Sequence, residues 1–370
     1  MTSTDDPAAT AAAQDAQFSA RLDTAIREFF AAEREQVTAI SPDATRLVAA
    51  IADLTDGGKR LRARLCHWGW CAAGGEAGSD VVVAAAASLE LFQTAALIHD
   101  DVLDRSDTRR GRPSVHRVFE AVHRGAGWAA DPEHFGVGAA VLTGDMSLSF
   151  AEQLFAEAAA GVAPAAGAAA RHIFSSMRTE VMAGQYLDIH AEVAPPSHDA
   201  AVQLERAMTV LRYKSAKYSV EHPVAIGAAL AGADQQFLAA CAAFTLPLGE
   251  AFQLRDDVLG VFGDPETTGK PAGDDIREGK RTALIALCSA GCSPAQRQWL
   301  ESVLGSERLT EEDVARVRDL MRSSGAHERS EQLIADLVAS SDEALAVLPT
   351  GEVPRAGLRA LADAAVRRTR

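Results

Sequence analysis

Residues 84–113 read AAAASLELFQTAALIHDDVLDRSDTRRGRP, and the layout of this stretch decides the fold class. A long, almost wholly apolar run ends in Asp100, Asp101 and Asp104, and a turn with Arg109, Arg110 and Arg112 follows. The run predicts a buried helix. At 3.6 residues per turn, Asp100 and Asp104 stand on one face, one turn apart. Carboxylates so placed repel each other, and at a helix C-terminus the macrodipole opposes them as well. A solvated acidic helix end is the plain reading of such a pair. Here Ala95, Ala96, Leu97 and Ile98 run straight into the acids, which puts them at the mouth of an apolar region. Something positive must compensate, and Mg²⁺, a hard ion that seeks oxygen, suits this donor set.

The pattern occurs twice. Asp256 and Asp257, in AFQLRDDVLGVFGD, repeat the DDVL of Asp100–Leu103 after a second apolar run. Two acidic pairs at the ends of two buried helices read as two walls of one metal site. Upstream, Asp56-Gly57-Gly58 forms a turn whose glycines permit positive φ and close backbone approach to a ligand. Lys59, Arg60, Arg62 and Arg64 open the next helix, where N–H groups and basic side chains together can hold a diphosphate.

Composition agrees with helices. The chain has 370 residues, 48% hydrophobic but only 5% aromatic, and alanine dominates, which favours close-packed helices over a β-sandwich. No strand-like alternation lasts, so the class is all-α. A formal charge of −15 argues against nucleic acid or an anionic membrane as a general partner. The five cysteines (66, 71, 241, 288, 292) form no CxxC and read as thiols of a reducing compartment. The N-terminus lacks a basic and apolar leader, and Ala84–His99 is too short for a membrane span. A cytoplasmic protein without an integral membrane segment is the expectation.

Residues 1–17, rich in Ala, Asp and Thr, are expected to be disordered, with a single all-α domain over 18–370. Helices are expected over Phe18–Thr38, Thr45–Leu54, Ala139–Ala159 and Ala168–Ala191. The segment His116–Gly138 reads as a loop; its His116, His123 and His134 lack carboxylate or cysteine partners at ligand spacing. Ala160–Gly167 is expected to be a connector. Gln235–Arg255 is read as a helix interrupted at Pro247, and Leu259–Gly273 as a loop. Gln185 and Asp188 share a helix face, in a position to support metal ligands from behind.

Seven motifs in a fixed order now resemble one family. They are Gly57-Gly58-Lys59-Arg60-Leu61-Arg62, Asp100–Asp104 with Arg109 and Arg110, Gln185 to Asp188, Lys214-Ser215, Asp256–Asp257, Thr268-Gly269-Lys270, and Asp275 to Lys280. The chain resembles the trans-isoprenyl diphosphate synthases (polyprenyl synthetase family), bacterial geranylgeranyl diphosphate synthases in particular, from about residue 20 to about 350. The resemblance implies an isoprenoid synthase-type bundle around an apolar tunnel with acidic motifs at its mouth. It implies head-to-tail condensation of isopentenyl diphosphate with an allylic diphosphate, three Mg²⁺ ions, and a homodimer.

The resemblance also assigns residues. Gly58, Lys59, Arg62, Gln93 and Arg110 hold isopentenyl diphosphate. Asp100, Asp104 and Asp256 bind Mg²⁺, with Asp101, Asp257 and Asp188 in support. Arg109, Lys214, Lys270 and Lys280 stabilise the leaving diphosphate, with Ser215 beside the allylic diphosphate and Gln185 and Gln253 also binding substrate; Lys214, Ser215, Arg109 and Lys270 rank as catalytic. One departure stands out: Gly260 occupies the place of the motif's third aspartate, which bears on metal affinity more than on reaction type.

Product length is argued from the helix. One isoprene unit spans about 5 Å and one turn rises about 5.4 Å, so a growing tail descends roughly one turn per unit. In the family that the chain resembles, makers of short, fifteen-carbon products carry aromatic floors at the positions of Ala96 and Ala95; here those are open, and Phe92 is the first bulky residue below. Twenty carbons are expected, with twenty-five or more as the alternative. A class I terpene cyclase would need a different second metal motif, and a non-catalytic partner subunit would have lost aspartates that this chain keeps.

Overall fold

The computed structural model describes residues 6–197, 199–263, 273–306 and 308–366, and most of them are helical. The first helix, α1 (Pro7–Ile40), begins well before Phe18. Residues 7–17 are therefore ordered, contrary to the expectation of disorder. Asp6 caps the helix by accepting from Ala8 N–H over 3.1 Å, and Pro7 sits in the first turn, where its missing N–H costs nothing. An alanine run behind a cap is a strong helix start. Ala11, Phe18, Leu22, Ile26 and Phe30 then bury one continuous stripe.

The chain forms two compact units. The first comprises residues 1–173, 223–238 and 350–361. It contains α2 (Thr45–Thr55), α3 (Leu61–Ala72), α4 (Asp80–Leu103), α5 (Val115–Ala126) and α6 (Pro132–Ala160), with most of α9 (His222–Leu230). The helix α4 is its centre. Leu89, Leu91, Phe92 and Ile98 are essentially fully buried, each contributing about 1.5–3 kcal/mol of transfer free energy. Small residues let α6 lie close: Ser88 Oγ donates to the Ala151 carbonyl over 2.7 Å, and Ser147 Oγ to the Leu91 carbonyl over 2.8 Å.

The second unit comprises residues 174–222, 239–349 and 362–370. It holds most of α7 (Pro164–Val193), α8 (Ala200–Val210) and most of α10 (Gln235–Phe262), followed by shorter helices up to Val347. The helix α10 runs through Pro247 without ending, so the expected interruption is absent. Between α8 and α9 the chain stays helical over Leu211–Glu221 but with the wider i→i+5 pattern of a π-helix.

Other expectations shift as well. The segment 116–138 holds α5 and the start of α6, not a loop: Gly127 ends α5 at φ 63°, and Asp131 caps α6. Of the connector expected over 160–167, residues 161–163 do link α6 to α7, while 164–167 form the first turn of α7. His123 Nε2 bonds the Ala129 carbonyl at 2.9 Å, and His116 Nδ1 lies 3.2 Å from Ser114 Oγ. All five cysteines are buried and unbridged. By length and composition, α4 (mean hydropathy 1.9) and α10 (1.4) both suffice to cross a membrane. The α4 window is 67% buried inside the protein, as a core helix is.

Candidate active site

In the first unit, the acids at the end of α4 meet the cation that their repulsion demands. After Asp104 the chain makes a two-residue antiparallel pairing, Thr108–Arg109 with Arg112–Pro113. Its turn residues, Arg110 and Gly111, both have positive φ (54° and 71°), the pattern of a type I′ hairpin. The hairpin folds Arg109 back over the helix end. Its Nε and Nη2 donate to Asp101 Oδ1 at 2.8 and 2.5 Å, and Nη2 reaches Asp100 Oδ2 at 3.1 Å. Asp101 is fully buried. Burial opposes the charge on Arg109, yet the hydrogen bonds and charge of Asp101 outweigh it and raise its pKa.

The same hairpin sends Arg110 the other way. Its guanidinium lies 3.2 Å from where a Cβ on Gly58 would be, and Nη1 donates to the carbonyls of Leu54 and Asp56, both at 3.4 Å. Gly57 and Gly58 have φ near 80°, so the loop presents backbone with no side chain in the way. Burial lowers the pKa of Arg110, and the nearby Arg60, Arg109 and Arg62 lower it further, against Glu90. Clustered guanidinium groups of this kind repel one another until an anion joins them. Gly57, Gly58, Asp101, Arg109 and Arg110 line one cavity of about 450 Å³.

Not every basic residue of the loop serves that cavity. Arg60, at φ 51°, turns back to the Thr55 carbonyl (2.7 Å), Glu90 (3.1 Å) and Asp23 (3.2 Å). Arg64 pairs with Asp15 at 2.7 Å, and the Trp68 indole donates to the same Asp15 at 3.0 Å. These two arginines tie the loop to α1 and α4, whereas Arg110 lines the cavity itself. Sequence reasoning missed Asp15 and Asp23; their spacing along one face of α1 was the available signal. Gln93, Ala96, Asp100 and Asp104 are half-buried along α4, whereas Phe92 and Ala95 are buried.

In the second unit, Lys214 and Asp188 come together: Lys214 Nζ donates to Asp188 Oδ2 at 2.5 Å. The approach is close because a Cβ on Gly184 would fall 2.3 Å from the Lys214 backbone nitrogen. The π-helical register of 211–221 carries both Lys214 and Ser215. A further brace runs from Glu180, which accepts from Lys217 and pairs with His222, each at 2.8 Å.

Asp256 is exposed at the end of α10, while Asp257 is buried and accepts from Gln253 Nε2 at 3.0 Å. Burial, then the charges of Asp275 and Asp256, push Asp257 up to about 8, against Lys280. Lys280 itself pairs with Glu278 at 2.6 Å. Carboxylates crowded in this way repel one another, and a bound cation would relieve them. Oxygen donors fit Mg²⁺, although among the described residues no three acidic or histidine groups already converge on one point. Lys270 and Asp264 lie outside the described residues.

The polyprenyl synthetase family profile matches residues 44–321, which span both acidic motifs and the basic loop. The chain belongs to the polyprenyl synthetase family. It is a prenyl diphosphate synthase, a trans-prenyltransferase. It is 32% identical to a short chain isoprenyl diphosphate synthase of Methanothermobacter thermautotrophicus, over 89% of this chain and 92% of that one. It is also 32% identical to a (2E,6E)-farnesyl diphosphate synthase of Mycobacterium bovis, covering 72% and 68%. A crystal structure of geranylgeranyl pyrophosphate synthase from Corynebacterium glutamicum, complexed with isoprenyl diphosphate and magnesium, superposes with a TM-score of 0.88 at 41% identity, covering 95% and 99%. The names of these relatives differ in product length.

Proposed function

We propose that this prenyl diphosphate synthase condenses isopentenyl diphosphate with allylic diphosphates and stops at twenty carbons. The reading of length rests on Ala95 and Ala96, which leave the first turn below Asp100 without bulk, and on buried Phe92 one turn deeper. Three Mg²⁺ ions, a homodimer and a cytoplasmic setting complete the reading on family resemblance.

The chain's own residues divide the work. Lys59, Arg62 and Arg110, with the bare backbone of Gly58 and with Gln93, grip the diphosphate of the isopentenyl substrate. Its double bond stays free to attack. Lys214, oriented by Asp188, stands with Ser215 at the allylic diphosphate, where Gln185, Gln253, Lys270 and Lys280 add polar contacts. Asp100, Asp104 and Asp256 would hold Mg²⁺, which supplies Lewis-acid stabilisation of the departing diphosphate oxygens. The allylic carbon–oxygen bond breaks with its electron pair leaving on diphosphate. The isopentenyl double bond then forms the new carbon–carbon bond, and loss of a proton restores an alkene. Cations aimed at the leaving oxygens lower that barrier most.

Arg109, which the resemblance assigns to the leaving diphosphate, also donates to Asp100 and Asp101 and so would place those acids as well.

The test is product analysis. Pure protein is incubated with Mg²⁺, labelled isopentenyl diphosphate and, separately, five-, ten- and fifteen-carbon allylic diphosphates, and the dephosphorylated alcohols are chromatographed. A single twenty-carbon alcohol supports the reading. Longer alcohols keep the enzyme and discard Phe92 as the floor, and no incorporation from any primer sinks the proposal.

A further inference from the structure

Gly260 breaks the second acidic motif, and the chain fills the gap from another direction. A Cβ built on Gly260 would lie 2.3 Å from Asp275 Oδ2 and 2.9 Å from Asp275 Cγ. No side chain fits at 260 while that carboxylate holds its place. The backbone joins the same two points. Gly273 N–H donates to the Gly260 carbonyl over 3.1 Å, and the Gly273 carbonyl accepts from Ile276 and Arg277 N–H at 3.1 and 3.2 Å, which closes the turn that carries Asp275. Ile276 is buried at 1% exposure and its carbonyl accepts from Gly305 N–H at 3.0 Å, so the turn is anchored on a second side.

Glycine inside a helix is a poorer choice than alanine on backbone grounds. At 260 the space above the backbone supplies the reason for it. We infer that Asp275 provides the third carboxylate of the second acidic group, entering the space that a side chain at 260 would fill, and that Gly260 is the positioning residue that admits it. The inference deepens the reading of Asp256 as a metal ligand and rests on it for the role of the group, though not for the interlock itself. Restoring the family's aspartate at 260 would then displace a carboxylate rather than add one.

The interlock is tested first without metal. Thermal unfolding in EDTA is followed for the wild type, Gly260→Ala, Asp275→Gly and the double variant. With Asp275 in place, Gly260→Ala lowers the Tm by about 2 °C through overpacking. In the Asp275→Gly background the same change raises the Tm by about 1 °C, because helix propensity is then unopposed. Equal effects in the two backgrounds overturn the inference.

A second arm reads the Mg²⁺ concentration that half-protects the protein against unfolding in the presence of inorganic pyrophosphate. Gly260→Asp raises it about tenfold, and adding Asp275→Gly removes most of that rise. A Gly260→Asp protein protected at a lower Mg²⁺ concentration than the wild type overturns the inference. A wild type that condenses no substrate sinks the functional reading instead, and the metal-free cycle still decides this one.

Discussion

Asp101, the middle acid of the first motif, should prove to be a folding residue first. Its side chain is 1% exposed, and Arg109, at 15%, meets it through two nitrogens at 2.5 and 2.8 Å. Asp101→Asn keeps the shape and removes the charge, leaving a buried guanidinium whose remaining acid is Asp100 at 3.1 Å. Breaking one side of a buried pair costs about 3–5 kcal/mol. With Asp100 retaining part of the interaction, about 3 kcal/mol is expected, a large share of a typical 5–15 kcal/mol of total stability. At an unfolding entropy of about 2.1 cal/mol/K per residue, that loss lowers the Tm by about 4 °C for a chain of this size. Asp100→Asn removes a more accessible charge with a longer contact and should cost about 1 kcal/mol or less. The assay is thermal unfolding by circular dichroism in EDTA, which removes any metal contribution, at low and at high salt. The Asp101→Asn deficit should persist in salt, because a buried pair is little screened. Equal shifts for the two variants, or none for Asp101→Asn, would refute the division of roles.

Further outcomes follow from the same geometry. Arg110→Ala should raise KM for isopentenyl diphosphate at least tenfold with little change for the allylic substrate, since a charged donor to an anion contributes about 1.5–3 kcal/mol; steady-state kinetics with each substrate varied will show it. Removal of residues 1–17 takes away Asp15, the shared partner of Arg64 and Trp68, and should lower stability and raise the same KM, where a disordered tail would do neither. Phe92→Ala should lengthen the product by at least one isoprene unit, read by chromatography of the alcohols; an unchanged length removes Phe92 as the floor. Asp257 carries a pKa pushed from 3.8 to about 8, so the folded state binds the extra proton. Its contribution to stability is complete below about pH 4 and is lost as pH rises through about 8. Metal-free protein should therefore lose Tm across that window, and Asp257→Asn should flatten the loss. Mg²⁺ with pyrophosphate should release protons on binding, as a pH-stat titration will record.

The parts of this protein that could be read in its sequence are those where periodicity and chemistry coincide. The apolar run of α4 ending in acids is both a core helix and a ligand-bearing one, and each fact predicts the other. Where composition spoke alone it misled. Residues 7–17 look like a tail by their Ala, Asp and Thr content, but the cap at Asp6 and the burial of Ala11 and Phe18 turn the same alanines into helix. The segment 116–138 suggested a loop because glycines and a proline punctuate it; Gly127 and Pro132 instead mark a helix end and a helix start.

Pairings distant in sequence were the illegible part, because nothing in one segment reports which acid it will meet. Arg109 and Arg110 are neighbours that resemblance places on diphosphates. A two-residue turn with both residues at positive φ sends one to Asp101 and the other to Gly58. The distinction between an arginine held by the acids of α4 and one that faces the glycine loop therefore lies in the hairpin's handedness, not in the letters RR. Gly260 makes the same point from the opposite side. Read in sequence it is a missing acid; in space it is the room that Asp275 occupies. A motif counts donors along the chain, whereas an ion would count them around a point, and the two counts agree only after the fold has chosen which segments converge.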